Sequence, residues 1–360
     1  MQHSNPDCIL PRNDTIMKKR TQLILGTAAL LLIAGLSVAG VGYYLLFAPQ
    51  FYPTRKAYIY IDRDDTADSV YHKLALHASP RRMEGLRWLS AYRHYPQHIH
   101  TGRYAILPRE NAYHVFSRLY RGYQEPVNLT IGSVRTVERM ARNIERQLMI
   151  DSVEVAAQLF DSTFLATNGY SLETLPCLFI PNTYQVYWDV SAADLLARLQ
   201  KEHDRFWKQE RREKAQAIGL TPNEVATLAS IVEEETNNAA EKPMVAGLYL
   251  NRLRIGMPLQ ADPTVKFALQ DFTLRRITHT HLEVESPYNT YRRQGLPPGP
   301  IRIPTIEGID AVLNHAKHSY LYMCAKEDFS GTHNFAATLA EHQRNAQKYW
   351  AALNRRKIFK

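Results

Sequence analysis

The sequence predicts a mixed α+β protein carried on a single N-terminal transmembrane helix. Three observations support this prediction. Residues Leu23 to Phe47 form one apolar run without a charge, short alternating segments typical of strands follow it, and helical periodicity dominates the rest of the chain. With 360 residues, the chain is long enough for two domains beyond the apolar run.

The apolar run is interpreted as an uncleaved membrane anchor at residues 23–47, preceded by a tail at residues 1–22. A helix of about 20 apolar residues crosses the hydrocarbon core of a bilayer. Ser37-Val38-Ala39 could serve as a signal-peptide cleavage site, but the apolar stretch continues to Phe47, past an ordinary signal sequence. An anchor is therefore favoured over a signal peptide. Residues Ala48 to Arg55 are interpreted as a linker.

A small module with the order β-α-α-β is predicted for residues 54–126. Ala57 to Ile61 and Gly102 to Leu107 alternate like strands, and Ala67 to His77 and Arg81 to Tyr95 have helical periodicity. Residues Ala112 to Arg121 form a further predicted helix.

A larger, mostly helical α+β domain is predicted for residues 127–354. Its predicted helices are Val134 to Leu148, Ala192 to Ile218, Pro222 to Thr236, Lys242 to Arg254, Ile306 to His315 and Thr338 to Asn354. Tyr320 to Ala325 and Thr332 to Phe335 flank a turn that contains Gly331, which is typical of a hairpin.

The helix predicted from Pro222 has a well-defined start. Thr221 precedes a proline at the first helical position and lies three residues before Glu224, which is the pattern of a capping box. The helix should therefore begin at Pro222.

The same helix ends in three consecutive glutamates, of which one is predicted to be desolvated. On a helical wheel Glu235 lies about 50° from the centre of the apolar stripe, Glu233 about 110° and Glu234 about 150°. Glu234 should therefore face solvent. Burial raises the pKa of a carboxyl group, as a general acid that works near neutral pH requires. Glu235 is the candidate acid and Glu233 the reserve; the alternative is that Glu235 ends the helix at the surface.

Several ordered motifs follow one another between about Gly132 and the C-terminus. They are Leu228 to Thr236, Asn251 to Val265, Tyr288 to Tyr291, Gly295 to Ile301, Tyr320 to Tyr322, His333 to Phe335 and Thr338 to His342. Together they resemble the MltG (YceG-like) family of endolytic murein transglycosylases. In that family the acid occupies the third position of a Glu-x-Glu-Thr motif, which here is Glu235.

The resemblance implies a lytic transglycosylase that cuts the MurNAc-GlcNAc bond within nascent peptidoglycan strands near the membrane and forms 1,6-anhydroMurNAc ends, thereby ending strand elongation. It implies a LysM-like module, a YceG-like catalytic domain and a cytoplasmic N-terminus. The catalytic domain would then be extracytoplasmic, at the cell inner membrane. Glycan strands and the synthases that extrude them are the expected partners.

Other polar and aromatic residues of these motifs are candidates for binding sugar. They are Gln260, Asp262, Tyr288, Asn289, Thr290, Tyr291 and His333. Aromatic faces and amide groups suit sugar rings and N-acetyl groups, although a Tyr-rich turn can equally be structural. Asp262 precedes Pro263 and a helical segment, so it is also interpreted as a helix N-cap.

Charge and cysteine spacing bear on whether the protein binds nucleic acid, a metal or a cofactor. The net charge of +9 permits nucleic-acid binding, but an exported chain meets anionic lipid and wall peptides instead, so no nucleic acid is expected. The sequence contains no Cys-x-x-Cys and no His-Glu-x-x-His, and neither a metal nor a cofactor is expected. Cys177 and Cys324 either pair or remain two separate thiols.

Two other functions stay open. The first is a non-catalytic, membrane-anchored peptidoglycan-binding or division scaffold. The second is a muramidase that uses two carboxylates and leaves reducing ends.

Overall fold

The computed structural model describes residues 13–78, 83–274 and 276–356. It is mostly helical, with three separate two-stranded antiparallel sheets, so the α+β prediction is confirmed. Contacts divide the chain into two units, one ending at Glu125 and the other beginning at Pro126.

The N-terminal helix α1 covers Asn13–Phe47. From Met17 to Phe47 it is long and apolar enough to cross a membrane, with a mean hydropathy of 2.3, and its side chains are exposed as far as Val41. An apolar helix whose side chains are exposed over most of its length fits a single-pass membrane protein.

The first unit has the predicted β-α-α-β order. Strands β1 (Ala57–Ile61) and β2 (Gly102–Ile106) pair with Ala57 opposite Ile106. Between them lie α2 (Ala67–Ala75) and α3 (Glu84–Tyr92), and α4 (Ala112–Tyr120) follows. The predicted start of α3 at Arg81 lies outside the described residues.

The prediction of a linker at Ala48 to Arg55 is wrong for its first half. Phe51 is fully buried in the core of the first unit, and the backbone N–H of Gln50 donates to the carbonyl of Glu110 at 2.9 Å. The chain therefore enters the folded module directly after α1, because burial of the Phe51 ring is favourable.

The second unit contains the remaining elements. They are β3 (Val127–Ile131), α5 (Val137–Glu145), α6 (Ser152–Leu159), α7 (Ser162–Asn168), β4 (Asn182–Val186), α8 (Ala192–Phe206), α9 (Gln209–Ala217), α10 (Pro222–Glu235), α11 (Lys242–Arg254), α12 (Asp262–Leu269), α13 (His279–Leu282), α14 (Ile306–Leu313), β5 (Tyr322–Ala325), β6 (His333–Ala336) and α15 (Leu339–Arg355). Strand β3 pairs with β4 and β5 with β6, the latter confirming the predicted hairpin.

One long predicted helix is in fact two. The segment Ala192 to Ile218 breaks between α8 and α9, where Trp207 leaves helical geometry with φ −81° and ψ 56°. Trp207 is buried in the core of the second unit and stacks edge-on against Phe206. Burial of a large aromatic side chain outweighs the propensity of the charged segment after it to continue the helix.

Helix α10 lies at the centre of the second unit. Every residue from Val225 to Glu233 is buried, and α10 packs against α11 and α14. Ala226 belongs to the core cluster that also contains residues of β3 and β4. The predicted capping box is confirmed: Thr221 accepts from the N–H of Glu224 at 3.3 Å, and Glu224 accepts from the N–H of Thr221 at 2.7 Å. The buried residues of α10 thus fix the position of its last residue, Glu235.

Candidate active site

Glu235 ends α10 at the wall of a polar cavity of about 220 Å³. The hydroxyl of Tyr249 on α11 donates to Oε1 of Glu235 at 2.8 Å. The cavity is lined by Glu235, Leu248, Tyr249, Arg252, Leu259, Gln260, Asp262, Tyr291, Met323, Cys324, Ala325 and His333. A larger cavity of about 850 Å³, whose lining includes Lys214 and His318, has no carboxyl group among its lining residues. The smaller cavity is the candidate site because it holds an acid with an altered pKa.

Burial raises the pKa of Glu235 to about 7. The hydrogen bond from Tyr249 opposes this rise, the negative charge of Asp262 adds to it, and the charges of His333 and Arg252 oppose it. A carboxyl group with this pKa is substantially protonated near neutral pH, so Glu235 is able to give up a proton there.

Arg252 fixes the two segments that face Glu235. It is buried on α11, and its guanidinium donates to the carbonyl of Leu321 at 2.6 Å and to that of Leu259 at 2.6 Å. Burial also lowers the pKa of Arg252. These bonds tie the loop before α12 and the chain entering β5 to the same side chain.

The structure places Gln260 and Asp262 in the cavity wall. Gln260 has a left-handed backbone with φ 51°, which is uncommon for a residue with a side chain, and its N–H donates to the carbonyl of Thr290 at 3.1 Å. The cap interpretation of Asp262 is wrong: α12 begins at Asp262, and Ala261 occupies the N-cap position. The Asp262 carboxylate instead accepts from the hydroxyl of Tyr291 at 2.5 Å.

Tyr291 reaches the cavity, but its three predicted neighbours do not line it. Asn289 is buried and donates to the carbonyls of Leu282 and Val284, both at 2.9 Å. Thr290 is buried too, and its hydroxyl accepts from the N–H of Ala261 at 3.0 Å. Both residues hold the backbone that carries Tyr291 and Asp262.

Tyr288 lies apart from the cavity. Its ring packs on Phe267 with centroids 4.7 Å apart, and it borders a different pocket together with Arg135. The shared loop therefore sends only its last tyrosine toward Glu235.

His333, on β6, lines the cavity and is held from behind by Glu241. The imidazole Nδ1 of His333 lies 2.9 Å from Oε2 of Glu241, and the backbone N–H of His333 donates to Oε1 of Glu241 at 2.6 Å. Burial raises the pKa of Glu241, but the bonds from His333 and from the Thr236 hydroxyl outweigh it and leave the pKa lowered. Glu241 therefore stays ionised and fixes the position of the imidazole.

Glu233 and Glu234 are engaged elsewhere. Glu233 accepts from the N–H of Thr305 at 3.1 Å at the start of α14, and Nζ of Lys242 lies 3.8 Å from its carboxylate. The prediction that Glu234 faces solvent is wrong: it accepts from Arg135 at 2.8 Å and from Arg302 at 3.1 Å, and its side chain is only 15% exposed. Neither residue lines the cavity of Glu235.

Replacing Glu233 with glutamine should therefore weaken the fold rather than change the titration of the site. A buried charge-assisted set of bonds is lost, and we expect the free energy of unfolding to fall by about 1.5–3 kcal/mol in urea titration. The control is Glu307→Gln, which removes the exposed partner of Lys242 and should have little effect. A Glu233→Gln protein of unchanged stability whose activity no longer depends on a group of pKa near 7 would contradict this assignment.

The two cysteines of the second unit are separate thiols. Cys177 is buried in the core beside β3 and β4, Cys324 lies on β5 at the cavity, and neither is bridged. Among the described residues, no group of three His, Cys, Asp or Glu side chains is placed to hold a metal ion.

A protonated carboxyl group at the end of a buried helix, open to a polar cleft, is the arrangement of an enzyme that works through a general acid. The chain belongs to the YceG-like family, whose model matches residues 59–348.

Curated relatives and a solved structure agree with this membership. The endolytic murein transglycosylase of Bacillus subtilis is 30% identical over 251 residues, which cover 65% of this chain and 67% of the relative. That of Streptococcus pneumoniae serotype 2 is 29% identical over 257 residues, 63% of this chain and 45% of the relative, so the match spans less than half of that protein. A crystal structure of a yceG-like protein from Listeria monocytogenes is 25% identical, with a TM-score of 0.54 over 81% of this chain and 99% of that one.

Proposed function

We propose that this chain is an endolytic murein transglycosylase, a lyase that cleaves the MurNAc-GlcNAc bond inside peptidoglycan strands and leaves 1,6-anhydroMurNAc ends. The observation that carries the proposal is the carboxyl group of Glu235, whose pKa is raised to about 7 at the wall of a polar cavity. Membership of the YceG-like family and two relatives named endolytic murein transglycosylase support it.

In the first step the neutral Glu235 protonates the oxygen that bridges C1 of MurNAc and C4 of GlcNAc. The C1–O bond breaks, GlcNAc leaves with a hydroxyl group, and positive charge develops at C1 and the ring oxygen. Glu235 becomes a carboxylate and continues to accept the hydrogen bond of Tyr249, which stabilises the charged form.

In the second step the C6 hydroxyl of the same MurNAc attacks C1. The O6–C1 bond forms, and the proton of O6 passes to the Glu235 carboxylate, which restores the acid. No water is consumed, so one residue serves as acid and then as base.

Asp262 and its neighbours are assigned supporting roles in this reaction. Its negative charge raises the pKa of Glu235 and would stabilise the developing positive charge at C1. Tyr291 holds the Asp262 carboxylate through its hydroxyl. Gln260, Tyr291 and His333 line the same cavity and offer polar groups and an aromatic face to the sugar.

The cellular setting completes the proposal. Helix α1 anchors the chain in the cell inner membrane with the N-terminus in the cytoplasm and the second unit outside it. The β-α-α-β module is LysM-like, nascent strands are the substrate, peptidoglycan synthases are partners, and cutting ends strand elongation. The apolar helix α1 and the β-α-α-β order support these assignments.

Two alternative functions, a non-catalytic scaffold and a muramidase, can be distinguished from a transglycosylase. A non-catalytic scaffold would not need a protonated acid in an open cleft. A muramidase is favoured by one observation, the presence of Asp262 as a second carboxylate in the cavity of Glu235, and it would admit water and leave reducing ends.

The test is to incubate the full-length protein in detergent with uncrosslinked glycan strands and to identify the new termini by mass spectrometry. Internal fragments with anhydro ends, 18 mass units (about one water) below the hydrolytic product, are expected if no water enters the reaction. Reducing ends would establish a hydrolase instead, and intact strands would favour the scaffold.

A further inference from the structure

The end of α1 is built into the first unit. Leu45 and Leu46 become partly buried, and Leu46 packs against the core of the module. Gly85 on α3 lies so close to α1 that a Cβ there would overlap the carbonyl oxygen of Leu45. A glycine inside a helix is unfavourable, so its presence at position 85 is explained by the close packing of α3 on α1.

Two more contacts close the same junction. The rings of Phe47 and Tyr113, the latter on α4, lie 5.4 Å apart. The side-chain amide of Gln50 donates to the carbonyl of Leu45, and Gln50 itself is buried. Helix α1 and the module thus form one continuous body, without free chain between them.

The depth of this junction follows from the length of α1. Counted from Leu23, about 20 helical residues rise about 30 Å, the thickness of the hydrocarbon core, which ends near Gly42. Tyr43 to Phe47 then lie at the level of the lipid headgroups. Helices α3 and α4 contact this last turn, so they must lie at that level too.

Helix α3 exposes an aromatic pair on the side that meets α1. Trp88 is 58% and Tyr92 68% exposed, and their rings stack 5.6 Å apart with an interplanar angle of 3°. On the helical wheel they lie about 60° and about 20° from Gly85. Trp and Tyr are the side chains enriched where a membrane meets water, because they combine an apolar ring with a polar group.

We propose that the first unit rests on the bilayer surface, with Trp88 and Tyr92 of α3 inserted among the lipid headgroups beside α1. The proposal rests on the membrane anchorage given above, and its partner is the lipid bilayer. Basic residues outnumber acidic ones between Ala48 and Glu125, which favours an anionic surface. The module then holds its own position at the membrane, in addition to any contact with glycan.

The experiment uses the full-length protein reconstituted into anionic vesicles whose lipids are brominated near the top of the acyl chain, where bromine quenches tryptophan fluorescence. The chain has four tryptophans, so the contribution of each exposed one is obtained by difference. Trp88→Phe is compared with Trp350→Phe, a matched control because Trp350 is 61% exposed on α15 of the second unit.

We expect most of the bromine quenching to disappear in Trp88→Phe and to persist in Trp350→Phe, while both variants float with the vesicles. Equal quenching in Trp88→Phe and the parent, with flotation intact, would overturn the surface contact and leave the anchor standing. Failure of the parent to float would overturn the anchor and this proposal together. Neither outcome bears on cleavage, which is measured separately on glycan strands.

Discussion

Replacing Glu235 with glutamine is expected to reduce cleavage of glycan strands by about 10³-fold, within the range that loss of a general acid produces. Glutamine keeps the shape of the side chain and can still accept the hydrogen bond of Tyr249, but it has no proton to give to the leaving oxygen. The rate is measured as fragments released per unit time from uncrosslinked strands. Glu210→Gln is the control, because Glu210 is 80% exposed and pairs with Lys214 on the protein surface.

The same variant should be more stable than the parent in mild alkali, which separates loss of chemistry from loss of fold. Folding raises the pKa of Glu235 from an ordinary 4.5 to about 7, so the folded state binds the proton more tightly. The stability from this group is complete below pH 4.5 and is lost as the pH rises through about 7. At pH 8 the parent should be on the order of 3 kcal/mol less stable relative to Glu235→Gln than at pH 4. A variant that is inactive and also less stable at pH 8 would point to misfolding.

Local patterns in the sequence were sufficient to locate α10 and to predict that Glu235 is desolvated. The capping box at Thr221 involves residues within one helical turn, so it could be predicted without tertiary information. The wheel angle of Glu235 depends only on helical geometry, and the structure places that residue in a polar cavity.

The same wheel failed for Glu234, and the reason is tertiary. Its two arginine partners, Arg135 and Arg302, are 99 and 68 residues away along the chain. A wheel describes one helix, whereas α10 is surrounded by protein on several sides, so a position opposite the apolar stripe can still be covered.

The partners of the acid could not be predicted for a similar reason. Tyr249 and Arg252 lie three residues apart on α11, a spacing that indicates a shared face, but the sequence does not reveal that this face meets the end of α10. Glu241 reaches His333 across 92 residues of chain. In the loop Tyr288 to Tyr291, Asn289 and Thr290 are buried, Tyr288 borders another pocket and only Tyr291 lines the cavity, a division that composition alone does not reveal.

Two substitutions beside Glu235 should move its pKa in opposite directions. Tyr249→Phe removes a hydrogen bond that lowers the pKa, and Asp262→Asn removes a negative charge that raises it. The fall of kcat/KM with rising pH reports the protonated acid of the free enzyme. We therefore expect the midpoint of that fall to move up in Tyr249→Phe and down in Asp262→Asn, each by about one pH unit or less.

Tyr288→Phe is the matched control, because Tyr288 belongs to the same loop as Tyr291 but lies outside the cavity, and its midpoint should stay near pH 7. Shifts of the same sign in Tyr249→Phe and Asp262→Asn would mean that a group other than Glu235 sets the profile. Opposite shifts would identify Glu235 as the titrating acid, because the hydrogen bond from Tyr249 lowers its pKa and the negative charge of Asp262 raises it. Asp262→Asn should also lower the plateau of kcat/KM, since the carboxylate is assigned a second role beside the positive charge at C1.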